Sequence, residues 1–115
     1  MICRPFSVVV VPFPFTDRPE TKRRPALVLS EQAFNRAGHT LMAMITSKDH
    51  APWPGDTPVT DLESAGLPIA CLIRLKVFTL DNRLIVRRSG CLAAADQAQV
   101  IAVLRRHLAW SAPSA

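Results

Sequence analysis

The sequence predicts a mainly β fold, a small antiparallel barrel followed by one C-terminal α-helix. Three observations lead there. Apolar, β-branched runs of strand length recur at 8–13 (VVVVPF), 26–30 (ALVLS), 40–47 (TLMAMITS) and 69–80 (IACLIRLKVFTL). The connectors between them are too short for crossover helices, which favours antiparallel pairing. Only the last part of the chain spaces its apolar residues helically. A closed barrel is the economical way to remove exposed sheet edges. At 115 residues the chain predicts one domain, 1–115, with a single core.

The run at 8–13 has no polar interruption, as suits a strand buried on both faces. PFPFTDRPETKRRP follows with four of the ten prolines and reads as a long loop. After the 26–30 strand, EQAFNRAGH reads as an irregular excursion or helical turn ended by Gly38. The 40–47 strand leads into a second Pro/Gly-rich loop, KDHAPWPGDTP. PVTDLESAGLP offers a short strand and a turn, with Gly66 and Pro68 as breakers. The 69–80 strand ends at a turn signal, Asp81-Asn82, before RLIVRRSG, whose alternation is half-exposed. Val100, Ile101, Leu104 and Leu108 predict a helix over about 94–109. Asp96 in its first turn and Arg105, Arg106 and His107 in its last complement the macrodipole. Trp110 with Leu108 is expected to seal the helix against the barrel, with 111–115 a frayed end.

Apolar residues are 49% of the chain and charged ones 20%, an ordinary globular balance. A formal charge of +5 favours a polyanionic partner, nucleic acid first. No apolar stretch approaches the roughly 20 residues that cross a bilayer, so no membrane partner is expected. Pro12 and Pro14 interrupt the N-terminal apolar run and no small-residue cleavage site follows, which argues against a signal peptide. Cys3, Cys71 and Cys91 have neither CxxC nor Cys/His spacing. They read as reduced thiols of a cytoplasmic protein, with no disulfide framework, metal or cofactor expected.

The chemistry-bearing stretch is TKRRPALVLS, residues 21–30, where Lys22, Arg23 and Arg24 precede Pro25 at the mouth of a strand. Proline restricts Arg24 to extended geometry, which would aim its guanidinium reproducibly. That suits a phosphate site; a solvated basic loop is the plainer alternative.

VVVVPFPFTD, KRRPALVLS, AMITS, WPGD, GLP, FTLD and GCL, in register over about 7–108, resemble the MazF/PemK family of toxin–antitoxin ribonucleases. The resemblance implies an SH3-like barrel that forms a homodimer, cleaves single-stranded RNA without metal or other cofactor, and is neutralised by a cognate antitoxin. It implies that Arg24, in the RP motif, acts at the scissile phosphate. Thr46, in ITS, becomes the other catalytic position, and Ser47 a phosphate or base contact. Two places depart from the family pattern. Phe6-Ser7 stands where Gly-Asp is usual, and Ala93 stands where Ser or Thr precedes the last helix.

Such a reaction uses the RNA's own 2′-hydroxyl as nucleophile and gives 2′,3′-cyclic phosphate and 5′-hydroxyl ends. Arg24 fits charge stabilisation, because a guanidinium stays protonated and offers forked donors. Thr46 is too weak a base to work alone. His50, four residues on, is a candidate for the proton transfers or a solvated loop residue. Lys22, Arg23 and Lys48 are candidate RNA contacts or solvated charges. Thr16 and Asp17 lie in the loop flanking the site, where turn chemistry alone also explains them. Trp53 could stack on a base, worth about 1–3 kcal/mol, plug its loop, or meet an antitoxin or dimer partner. The rival functions are a non-catalytic nucleic-acid-binding barrel and a toxin acting on another target, such as a topoisomerase.

Overall fold

The computed structural model describes residues 1–13, 22–49 and 51–110. In chain order the elements are β1 (Ser7–Phe13), β2 (Lys22–Val28), α1 (Gln32–Asn35), β3 (His39–Ser47), β4 (Thr57–Pro58), α2 (Leu62–Ala65), β5 (Cys71–Asp81), a 3-10 turn (Asn82–Leu84), β6 (Arg87–Cys91) and α3 (Ala94–His107). Six strands form one sheet in the order β4-β5-β3-β2-β1-β6, every neighbour antiparallel. The sheet curls into a half-barrel with α3 packed on it. Among the described residues, no helix is long and apolar enough to cross a membrane.

The uninterrupted valines of β1 have the expected cause, because both faces of the sheet's centre are covered. Val8, Leu27, Ala43, Ile45 and Ile73 pack with Val100 and Leu104 of α3. On the other face, Val9, Val11, Ala26, Val28 and Met42 gather with Cys3, Leu80 and Ile85. Burial pushes the Cys3 and Cys71 thiols up, and all three cysteines are free.

Closure differs in kind from a continuous ladder. The edge strands β4 and β6 do not pair with each other. Instead α2 and the left-handed residue after it, Gly66 (φ +69°), lie against β6. Asp61 caps α2 by accepting from the Ser64 N–H at 3.0 Å. Ser89 Oγ, on β6, donates to Ala65 O at 3.2 Å and Val8 O at 3.3 Å. A Cβ at Gly66 would lie 2.1 Å from Ser89 O, and one at Gly90 2.3 Å from Ser64 O. The seam is therefore a backbone-to-backbone contact that tolerates only glycine.

Asp96 lies in the first turn of α3, as expected, and is in addition a buried anchor, 1% exposed. It accepts from Thr60 N, Thr60 Oγ1 and Asp61 N, tying the first turn of α3 to the exit of β4. Ala93 indeed offers no side-chain cap to α3. Phe6, at the other departure from the family pattern, has φ +65°, a left-handed backbone that costs a non-glycine residue about 1–2 kcal/mol. Its N–H donates to Val28 O (2.8 Å) and its carbonyl accepts from Leu92 N (3.0 Å), which fixes it there.

Several boundaries move. β2 starts at Lys22 rather than 26, because Lys22, Arg23 and Arg24 pair with Phe13, Pro12 and Val11. β6 starts at Arg87, because the buried Asn82 side chain draws 82–84 into a 3-10 turn. Asn82 Nδ2 donates to Asn35 O (2.6 Å) and its Oδ1 accepts from Thr40 Oγ1 (2.7 Å). α3 ends at His107, and Leu108 and Trp110 are 44% and 59% exposed, so they do not seal the helix as expected.

The seam yields a test. Gly90 has no left-handed φ, so Gly90→Ala acts through sterics alone. It should lower the urea midpoint by the equivalent of about 1–3 kcal/mol, the usual cost of overpacking. An unchanged midpoint would show that the seam is looser than described.

Candidate active site

The β2–β3 ladder aligns Ala26 with Met44, Leu27 with Ala43 and Val28 with Met42. Carrying that register two residues beyond its last pair sets Arg24 opposite Thr46. Strand alternation puts both on the sheet face away from α3. There they line one cleft of about 200 Å³ with Phe13, Met44, Arg74 and Lys76.

Arg24 is exposed, and its guanidinium carbon lies 6.0 Å from the centroid of the Phe13 ring. Among the described residues its guanidinium makes no hydrogen bond or ion pair. Its backbone is held by the β1 ladder opposite Val11, with Pro25 next in the same strand. Thr46 is half-buried near the end of β3.

Arg74 and Lys76 reach the cleft from β5. Between Arg74, opposite Met44, and Val77, opposite Ala43, two residues of β5 have no partner on β3. This bulge packs Leu75 towards the helix-side core and turns Lys76 to the cleft. Arg74 is buried and held in a fork: Nε donates to Asp56 Oδ1 at 3.0 Å and Nη2 to Asp56 Oδ2 at 2.9 Å. Nη2 also donates to Ala51 O at 2.8 Å. Asp56 Oδ2 in turn accepts from Trp53 N at 2.9 Å. One ion pair thus fixes the 51–56 loop, and Trp53 lies over Lys76, ammonium to ring centroid 4.6 Å. Gly55 (φ +80°) lets this loop lie under α3, since a Cβ there would sit 3.0 Å from Val103 and 3.2 Å from His107. The Arg74 guanidinium holds the Asp56 carboxyl below the usual carboxylate range. With Arg74 neutralised by Asp56, Arg24 and Lys76 make the cleft cationic among the described residues.

The other predicted residues distribute around this centre. Ser47 faces a neighbouring apolar hollow, shared with Arg24, Thr46, Leu67 and Pro68. Lys22 opens β2 opposite Phe13, and Lys48 is exposed just past β3. Arg23 alternates to the other side of β2 from Arg24 and lines a second cavity, which Arg24 also borders, but not the cleft. Thr16, Asp17 and His50 lie outside the described residues. His39 stands at the far end of β3, opposite Asp81. Among the described residues, no group of three His, Cys, Asp or Glu side chains is arranged to hold a metal ion.

Sequence reading missed Arg74, Lys76 and Asp56. The signal was present: two cations at alternate positions inside the otherwise apolar run 69–80, and the aspartate of PWPGD as their counter-charge.

One family profile spans residues 4–108, that of the PemK-like, MazF-like toxins of type II toxin–antitoxin systems. The chain belongs to this family. Its fold agrees. The crystal structure of MazE–MazF (Form-III) from Deinococcus radiodurans superposes with a TM-score of 0.75 at 23% identity, covering 96% of this chain and 100% of that one. An endoribonuclease in complex with its cognate antitoxin, from a mycobacterial species, gives 0.72 at 14% identity over 97% and 98% of the two chains. Mycobacterium tuberculosis toxin MazF-mt6 gives 0.67 at 17% identity over 87% and 93%. No curated protein matches the sequence significantly. The MazF-like fold is thus shared at sequence identities too low to fix side-chain roles.

The Asp56–Arg74 pair predicts a pH response. Because the folded carboxyl titrates below its unfolded value near 3.9, the pair's stabilisation is complete above that value. It is lost as pH falls through the lower folded value. In a Trp110→Phe background, Trp53 emission should hold steady at neutral pH and change only in acid. Asp56→Asn should show the acid spectrum already at pH 7; a variant spectrum identical to the parent's would remove the pair from its anchoring role.

Proposed function

We propose that this chain, acting as one domain over 1–115, is the toxin of a type II toxin–antitoxin pair and a metal-independent endoribonuclease. Its substrate in this reading is single-stranded RNA in the cytoplasm, chiefly messenger RNA. The observation that carries the reading is Arg24 and Thr46 lining one cationic cleft from adjacent strands. Relatives of the same fold, described as an endoribonuclease with its cognate antitoxin and as a MazE–MazF complex, support it. They also support an antitoxin as protein partner. A homodimer is part of the proposal.

In this mechanism the 2′-hydroxyl attacks the adjacent phosphorus and the bond to the 5′ oxygen breaks. The products are a 2′,3′-cyclic phosphate and a 5′-hydroxyl. Arg24 donates to the phosphate oxygens as the pentavalent centre gains charge, a stabilisation that grows towards the transition state. Thr46 hydrogen-bonds the phosphate or the 2′-hydroxyl and orients the attack. Lys76 adds positive potential from the bulge, and Arg74, already neutralised by Asp56, shapes the wall and holds Trp53 where a base would stack. Ser47, Thr16, Lys22, Arg23 and Lys48 contribute contacts to the strand. The proton on the 2′-hydroxyl must leave and the 5′ oxygen must gain one; His50 is the candidate for either transfer.

Incubation with single-stranded RNA in EDTA tests the reaction. Discrete fragments ending in cyclic phosphate are expected. Arg24→Ala should cut the rate by about 100-fold or more, and Thr46→Ala should lower it severely, both with native urea midpoints. Intact RNA with a salt-sensitive mobility shift would point to the non-catalytic barrel, and growth arrest with intact messenger RNA to another target. His50→Ala should flatten one limb of the pH–rate profile; an unchanged profile removes His50 from the mechanism.

A further inference from the structure

On the other side of Arg24 from Thr46, a second cavity of about 270 Å³ opens over the seam. Arg23, Arg24 and Arg87 border it, with Pro25, Pro68 and Ser89 among its walls. Arg87 pairs with Val10 and Arg23 with Pro12, so alternation sends both side chains to the same face of the sheet. They stand on the strands either side of β1, two interstrand spacings of about 4.8 Å apart and offset by two residues, about 7 Å, along them. Long arginine side chains span that gap to meet a single anion. Both are exposed, and among the described residues neither makes a side-chain hydrogen bond or ion pair. Among the described residues no carboxylate lines the cavity. Its floor is the glycine-tight contact of Gly66 with Ser89, which resists rearrangement.

Resting on the ribonuclease reading, we infer that this seam cavity is a second phosphate subsite, in which Arg87 and Arg23 hold the RNA phosphate next to the scissile one. Arg24 is the shared wall of cleft and seam, so phosphates seated on its two sides are neighbours along one strand. That continuity favours RNA over an acidic peptide, which would have no reason to be in register with Thr46. The contact is to backbone and reads no base.

The full-length chain and a 2′-O-methylated single-stranded RNA of mixed sequence, whose nucleophile is blocked, provide the test. Binding is followed by anisotropy over about 0.05–0.2 M salt, where each phosphate contact contributes about −0.7 to the log–log slope. Arg87→Gln should reduce the slope by about 0.7 and weaken binding about fourfold at 0.15 M. Arg88→Gln removes the same charge from the neighbouring residue, which borders the N-terminal hollow instead, and should leave the slope unaltered. Equal losses in both variants would mean a general field and overturn the subsite, as would no loss in either. Arg87 dependence seen with polyglutamate but not with RNA also overturns it. If the slope depends on Arg87 while the wild type cleaves no RNA, the ribonuclease reading fails and the subsite stands. If Arg24→Ala abolishes cleavage while Arg87→Gln and Arg88→Gln bind alike, the subsite alone fails.

Discussion

The register of β2 against β3 is the constraint on which the site depends. A slip of one residue would send Arg24 to the helix-side face and leave Thr46 facing an apolar wall. What prevents the slip is burial on both faces. Leu27 and Ala43 belong to the layer under α3, while Ala26, Val28 and Met42 belong to the opposite layer. Any shift would trade side chains between two cores of different shape. The packing that stabilises the sheet therefore also aligns the cleft.

Around that fixed pair, two devices of different character supply the walls. On the β5 side the wall is electrostatic, a buried fork between Arg74 and Asp56 that carries a whole loop with it. Removing either partner would leave the other charge partly buried and uncompensated, a heavier penalty than the pair's own net worth. On the β6 side the wall is steric, Gly66 and Gly90 letting main chains touch where side chains would collide. One responds to acid, the other does not.

Much of the architecture was legible in the sequence because it rests on patterns with a single physical reading. VVVVPF, ALVLS and TLMAMITS read as strands from their strand-length, β-branched apolar runs, and the helical period after residue 93 marks α3. Arg24 and Thr46 were legible through their motifs, although only the β2–β3 register brings them to one cleft. What escaped depended on contacts distant in sequence. Lys22 to Arg24 look like loop until β1 offers them partners. Asn82 reads as a turn residue until Asn35 and Thr40 bury it. Asp96 reads only as a dipole partner until Thr60 shows it to be an anchor as well. Arg74 hides inside an apolar run because its counter-charge lies 18 residues earlier.

The outer flank of β5 has a further consequence. β4 covers it only at Leu72 and Ile73, and among the described residues no strand pairs with it beyond that point on this side. Val77 is 42% exposed there, the sort of flank onto which another chain's strand could zip. The bulge at Leu75–Lys76 throws the hydrogen-bonding rhythm of that margin out of step. The kink that serves the cleft therefore also makes this margin a poor template for a further strand.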